Sequence, residues 1–177
     1  MPQNDAFYFA ELRKSWCFGI QNLTEVKIMQ NNPNFKIIYD KIIVGKSNSK
    51  SDAFDVIHFA LKDIGNAFVP SYITSIASHA FQNCKFLKSV EFDNVSNLDS
   101  FGLCSLCETS IESIKIHKNV TRIEQETFSS CRKLTNVEFD DQSELRFIEY
   151  YAFSSTNSIY RNSSKAYCHS IICNFIL

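Results

Sequence analysis

The chain has 177 residues, 45% of them apolar and 21% charged, with Gly 4 and Pro 3, which excludes a disordered, collagen-like or linker-dominated polypeptide. Lys+Arg 18 against Asp+Glu 19 leaves a formal net charge of −1, and no basic run reaches five residues, so no long-range field gathers nucleic acid or an anionic membrane. No run of eighteen apolar residues offers a transmembrane segment, and Met1–Ala10, with Asn4 and Asp5 and no basic start, makes a poor signal peptide.

In chain order, residues 1–30 read as a degenerate first repeat. Ser15–Ile20 is a worn turn, and Leu23-Thr24-Glu25-Val26-Lys27-Ile28 reads as its strand. Residues 31–66 lose the beat and read as a non-repeat hairpin insertion. Asn31-Asn32-Pro33 predicts a turn, and Phe35–Tyr39 and Ile42–Val44 predict two short strands around Asp40-Lys41. Lys46–Asp52 predicts a Ser-rich loop and Val56–Leu61 a further strand. Residues 67–159 carry repeats of about 23–25 residues, restarting at Val69. At 160–177 the pattern fails, because Asn162 and Ser164 stand where apolar residues are due; this segment reads as a divergent cap or truncated tail, closed by the short apolar run Ile171–Leu177.

Three sub-patterns share one period and one order. Leu87-Lys88-Ser89-Val90-Glu91-Phe92 returns as Ile111-Glu112-Ser113-Ile114-Lys115-Ile116 and as Leu134-Thr135-Asn136-Val137-Glu138-Phe139, at spacings of 24 and 23 residues. Ile73-Thr74-Ser75-Ile76 is echoed by Leu98–Phe101, Val120–Ile123 and Leu145–Ile148. Ala80-Phe81-x-x-Cys84 is echoed by Thr127-Phe128-x-x-Cys131, with Cys104 and Cys107 assigned to the same places between them and Ala152, Phe153 and Thr156 after them. The alternation Val90-x-Phe92 predicts a strand with one buried face. A turn this short cannot bury its own apolar edge, so the turns must stack, each Leu, Val and Phe on its counterpart.

Together, Ile-Thr-Ser-Ile, Ala-Phe-x-x-Cys and Leu-x-x-Val-x-Phe resemble the BspA-like class of leucine-rich repeats, found in bacterial and protist surface proteins, trichomonads among them. Asn32–Ile38 and Ile42–Lys46 resemble the non-repeat hairpin of the protist proteins, with Lys41 standing where a glycine is usual. The resemblance covers about residues 20–159. It implies a leucine-rich repeat solenoid of parallel strands side by side, with short irregular or helical turns and a hairpin-like insertion. It also implies a cell-surface or extracellular adhesion and recognition protein. The other reading is an intracellular, cytoplasmic scaffold for protein–protein interaction.

Nothing points to an enzyme or a cofactor. His58, His79, His117 and His169 share no metal-ligand spacing, and no Gly-rich phosphate loop or Gly-x-Ser-x-Gly elbow occurs. Asp140-Asp141 and Glu124-Gln125-Glu126 read as solvated turn residues. Cys104-x-x-Cys107 has the spacing of a redox or zinc motif, but its assignment to the places of Phe81 and Cys84 predicts core residues and reduced thiols. The expected binding surface is the outward strand face: Ser89, Ser113 and Asn136 in one row, Glu91, Lys115 and Glu138 in the next, with Lys27 farther along. The expected partner is a protein or a glycan. Four sequons, at Asn22, Asn94, Asn119 and Asn162, are candidate N-glycosylation sites on a secretory route.

Overall fold

A computed structural model describes residues 22–157 and the backbone of a final strand at Ile159–Arg161. Among the described residues there is no helix; twelve short strands are joined by tight turns. The first three are β1 (Phe35–Ile38), β2 (Ile42–Gly45) and β3 (Val56–Ala60), paired antiparallel in that order. Tyr39 and Asp40 turn the β1–β2 hairpin with φ of 50° and 58°, both left-handed, as the primed turn of a twisted hairpin requires.

From β3 onward the chain coils. β5 (Ser75–Ile76), β7 (Ser100–Phe101), β9 (Arg122–Ile123) and β11 (Phe147–Ile148) continue the sheet of β3 in parallel, giving the order β1-β2-β3-β5-β7-β9-β11. A second side is built from β4 (Asn66–Val69) beside β6 (Ser89–Phe92), and from β8 (Ser113–Ile116), β10 (Asn136–Phe139) and β12 (Ile159–Arg161), again all parallel. β6 lies beside β8 without a continuous ladder, the two being joined where the Glu112 N–H donates to the Lys88 carbonyl at 3.2 Å.

The third side has no strands but bonds just as regularly. N–H groups of His79, Phe81 and Asn83 donate to the carbonyls of Leu103, Ser105 and Cys107. Those of Cys104, Leu106 and Glu108 donate to Gln125, Thr127 and Ser129, and those of Glu126, Phe128 and Ser130 to Tyr150, Ala152 and Ser154. Every second residue thus reaches along the axis, so the turns satisfy their buried backbone without helix or sheet. Each turn bends at two left-handed residues: His79 and Asn83, Cys104 and Glu108, Glu126 and Ser130, Tyr151 and Ser155.

These bonds fix the stacking and correct the expected register of one turn. Leu106, not Cys104, lies in the column of Phe81, Phe128 and Phe153, and Thr109, not Cys107, lies in the column of Cys84, Cys131 and Thr156. The Thr109 hydroxyl sits 3.2 Å from the Cys131 sulfur. This turn is two residues longer than assumed before the Cys place, and the next is correspondingly shorter. Cys104 and Cys107 therefore leave the core columns and are joined to each other as a disulfide, contrary to the expected reduced pair. Cys84 and Cys131 are the buried free thiols among the described residues. Burial pushes the Cys84 thiol up to about 11 and raises that of Cys131, so both act as small apolar fillers.

A single core runs the length of the coil, with Ile73, Leu98 and Val120 in one column, Leu87, Ile111 and Leu134 in another, and Phe81, Leu106 and Phe128 in a third, all fully buried. Aromatic rings follow the axis: Phe92 meets Phe101 edge-on at 6.1 Å, Phe101 tilts on Phe128 at 5.5 Å, and Phe128 stacks on Phe153 at 4.9 Å. Such pairs add about 0.5–1.5 kcal/mol each beyond area burial.

The hairpin is apolar on both faces. Ile42, Val44 and Ile57 join the main core; Phe35, Ile43, Phe59 and Leu61 form a second cluster, covered by Leu23, Val26 and Ile28. Residues 23–28 form no strand, which corrects the repeat-strand reading: they pack across the hairpin instead, and the Leu23 carbonyl accepts from the Lys62 N–H. Beside them His58 sits edge-on to Phe35 and against Gly45. Burial holds His58 below its ordinary 6.5, with Asp55 opposing, and burial likewise lowers His79. Unfolded, both histidines bind a proton more readily than folded. Their contribution to stability is therefore present above the unfolded value of 6.5 and is lost as pH falls from there through their lower folded values. Urea midpoints measured between pH 7.5 and 5 are expected to decline, and His58→Gln to flatten the decline; an unchanged slope in the variant would contradict this.

Candidate functional site

The strand face is the surface the repeat builds most regularly. Residues alternate in and out along a strand, so burying Val90, Ile114 and Val137 turns their neighbours outward. Asn136 pairs with Ser113 and Glu138 with Lys115 in the β8–β10 ladder; Asn66 pairs with Ser89 and Phe68 with Glu91 in the β4–β6 ladder. With β6 against β8, two rows cross the face: Asn66, Ser89, Ser113, Asn136, and Phe68, Glu91, Lys115, Glu138. Glu91, Ser113, Lys115 and Glu138 are exposed, and Ser89 and Asn136 half-buried. The Ser89 hydroxyl donates to the Asn66 side-chain oxygen at 2.9 Å, tying the first two members of the polar row.

The structure therefore brings together Ser89, Glu91, Ser113, Lys115, Asn136 and Glu138, and leaves Lys27 out. Lys27 belongs to the non-strand segment over the hairpin, exposed to solvent, its ammonium 3.4 Å from the Glu25 carboxylate. Asn66 and Phe68 are the members that sequence reasoning missed. Their signal was present: Ile64, Ala67 and Val69 keep the Leu-x-x-Val-x-Phe phase one period before Leu87, with small residues in two of the three places. Phe68, 40% exposed, meets Tyr39 of the hairpin turn, 58% exposed, edge-to-face at 6.1 Å. The polar rows thus begin at an exposed aromatic pair.

Asn22 and Asn94 are open to solvent. Asn119 is half-buried, and its side-chain amide donates to the Ser96 carbonyl at 2.8 Å, an engagement that a glycan on that nitrogen would have to share. Asn162 and His169 lie outside the described residues, as does the rest of 162–177; Tyr160 and Arg161, at the start of the segment read as a divergent cap or tail, pair in register with Val137 and Glu138 as a further parallel strand. Asp140 anchors its turn by accepting from the Gln142 N–H at 3.0 Å. Among the described residues no group of three or more His, Cys, Asp or Glu is placed to hold a metal ion, and no helix is long and apolar enough to cross a membrane.

Parallel coils stacked on columns of Leu, Ile, Val and Phe, with a regular outward strand face, define a leucine-rich repeat solenoid. A family model described as BspA type Leucine rich repeat region matches six copies over residues 53–171, and the chain belongs to that family. No curated protein matches it. Among solved structures, the pneumococcal vaccine antigen PcpA is similar at 21% identity and a TM-score of 0.51, over 60% of this chain and 28% of that one. A leucine-rich repeat protein from Bacteroides ovatus is 14% identical (TM-score 0.37; 77% of this chain, 53% of that). A leucine rich cell surface protein from Faecalibacterium prausnitzii is 15% identical (TM-score 0.32; 73% and 54%). The chain spans 28% to 54% of the length of these structures, and its likeness to PcpA is one of fold.

Proposed function

We propose that this protein is a non-enzymatic recognition module, displayed at a cell surface or secreted, that holds a protein or glycan ligand across its strand face. The observation that carries the reading is the in-register placement of Glu138 beside Lys115 and of Asn136 beside Ser113, continued through Glu91 and Ser89 to Phe68. A face of alternating charge and short hydrogen-bonding side chains, held within the β4–β6 and β8–β10–β12 ladders, is preorganised for an extended partner. Membership of the BspA-type family and a fold shared with a vaccine antigen support display outside the cell. The antiparallel β1–β2 hairpin supports the protist-type resemblance.

The triple variant Glu91→Ala, Lys115→Ala, Glu138→Ala is expected to weaken binding of the chain to host-cell or matrix preparations at least tenfold, with an unchanged melting temperature, because exposed positions away from caps and core shift stability by only about 0.5 kcal/mol. Antibody labelling of intact cells is expected to reach the protein without permeabilisation. Unchanged binding by the triple variant would place the site elsewhere, and labelling only after permeabilisation would overturn the surface reading.

A further inference from the structure

Among the described residues the cysteines divide into two environments. Cys84 and Cys131 stand in a core column, fully buried and held as thiols by their surroundings. Cys104 and Cys107 stand on the third side, where the neighbouring turns carry His79 and Gln82 before them and Glu126 and Ser129 after them. These residues wall a half-open cavity of about 510 Å³, within the range of small-molecule sites. Cys104 and Cys107 are 5% and 3% exposed, so this cavity is the approach to their disulfide.

The bond has little structural work there. It closes a loop with a sequence separation of three inside one turn, and the chain entropy removed by a cross-link is smallest for the shortest loops. The same turn is already held along the axis by the Cys104 N–H on the Gln125 carbonyl and the Leu106 N–H on the Thr127 carbonyl, at 3.0 and 2.9 Å. Breaking the sulfur–sulfur bond therefore frees two side chains at the cavity wall and leaves the coil assembled.

We propose that Cys104–Cys107 is a reversible thiol–disulfide exchange site that takes small neutral or cationic thiols from solution, an activity independent of the strand face. The incoming thiolate bonds to one sulfur of the pair as the Cys104–Cys107 bond breaks, and the displaced sulfur leaves with the electron pair and takes a proton from water. A second thiolate then attacks the mixed disulfide at the sulfur of the bound small molecule. The small molecule departs as its own disulfide, and the protein keeps two thiols. Two small thiols are oxidised and one protein disulfide is reduced. The carboxylates of Glu108 and Glu126 line the same cavity and disfavour thiols that carry net negative charge.

The test treats the folded full chain with cysteamine, 2-mercaptoethanol or glutathione at matched thiolate concentration, traps free thiols with iodoacetamide and maps the labelled peptides by mass spectrometry. Cys104 and Cys107 are expected to label together while Cys84 and Cys131 stay unlabelled. The order expected is cysteamine, then 2-mercaptoethanol, then glutathione, and labelling is lost again after the thiol is removed under air. Glu108→Gln with Glu126→Gln is expected to speed the glutathione reaction at least about threefold. Labelling of Cys104 and Cys107 only together with the core cysteines, or no labelling in folded protein, would overturn the proposal. So would free thiols at both positions before any thiol is added.

Discussion

Gly102→Ala is expected to lower the unfolding free energy by about 3 kcal/mol, the upper end of what overpacking does inside a well-packed fold. A Cβ at Gly102 would stand 2.7 Å from the Ser78 nitrogen, 2.9 Å from the Ala77 carbonyl carbon and 2.9 Å from the Ile76 oxygen. All three atoms are main chain of the preceding turn, which cannot swing aside as a side chain does. The Gly102 N–H also donates to that Ile76 oxygen at 2.9 Å, so relieving the clash means breaking a bond between turns. Gly65→Ala is the control, since nothing lies within 4 Å of its added carbon; it is expected to be neutral or slightly stabilising. Urea denaturation followed by circular dichroism reads both, and a loss below about 1 kcal/mol for Gly102→Ala would mean that the two turns are not in contact there.

Phe128→Ala is expected to be the more damaging change, at about 3–5 kcal/mol. The ring is fully buried between Phe101 and Phe153, so truncation removes two aromatic partners and leaves a void in the middle of the core. Phe86, 67% exposed, should change stability by no more than about 0.5 kcal/mol when cut to alanine. Each coil touches only the coils beside it. Amide hydrogen exchange should therefore rise first in β7, β9 and β11, while β1 and β2 keep their protection. Equal loss of protection throughout, or a loss no larger than that of Phe86→Ala, would count against the stacked core.

The stacked architecture was legible because each column of the core repeats one kind of residue, and Leu87, Ile111 and Leu134 keep their phase through every turn. What was not legible was local length. Between Phe81 and Phe128 one turn gains residues and the next loses them, and Cys104-x-x-Cys107 imitates Phe81-x-x-Cys84 closely enough to hide it. The backbone bonds on the third side separate the two alignments, and the one side-chain trace of the true register, Leu106-x-x-Thr109 matching Phe153-x-x-Thr156, is outweighed by the cysteine at 107. Leu23–Ile28 misled for the opposite reason: its apolar spacing is that of a strand, but its partner is the outer face of the hairpin, a tertiary choice that overrides local pattern. On the strand face, six of the seven residues expected to lie together do so. The small Ala67 and Val69 concealed β4, and with it the aromatic pair of Phe68 and Tyr39.

The hairpin also decides how copies of this molecule can meet. A coil built from parallel rungs could in principle accept another molecule's rung at its edge and grow into a fibre. At that end β2 runs against the rungs and β1, a strand of four residues, runs with them again, while the outer apolar side of the hairpin is already occupied by Leu23, Val26 and Ile28. The segment laid over the hairpin therefore leaves a newcomer no bare apolar face to stack on there, which disfavours head-to-tail growth.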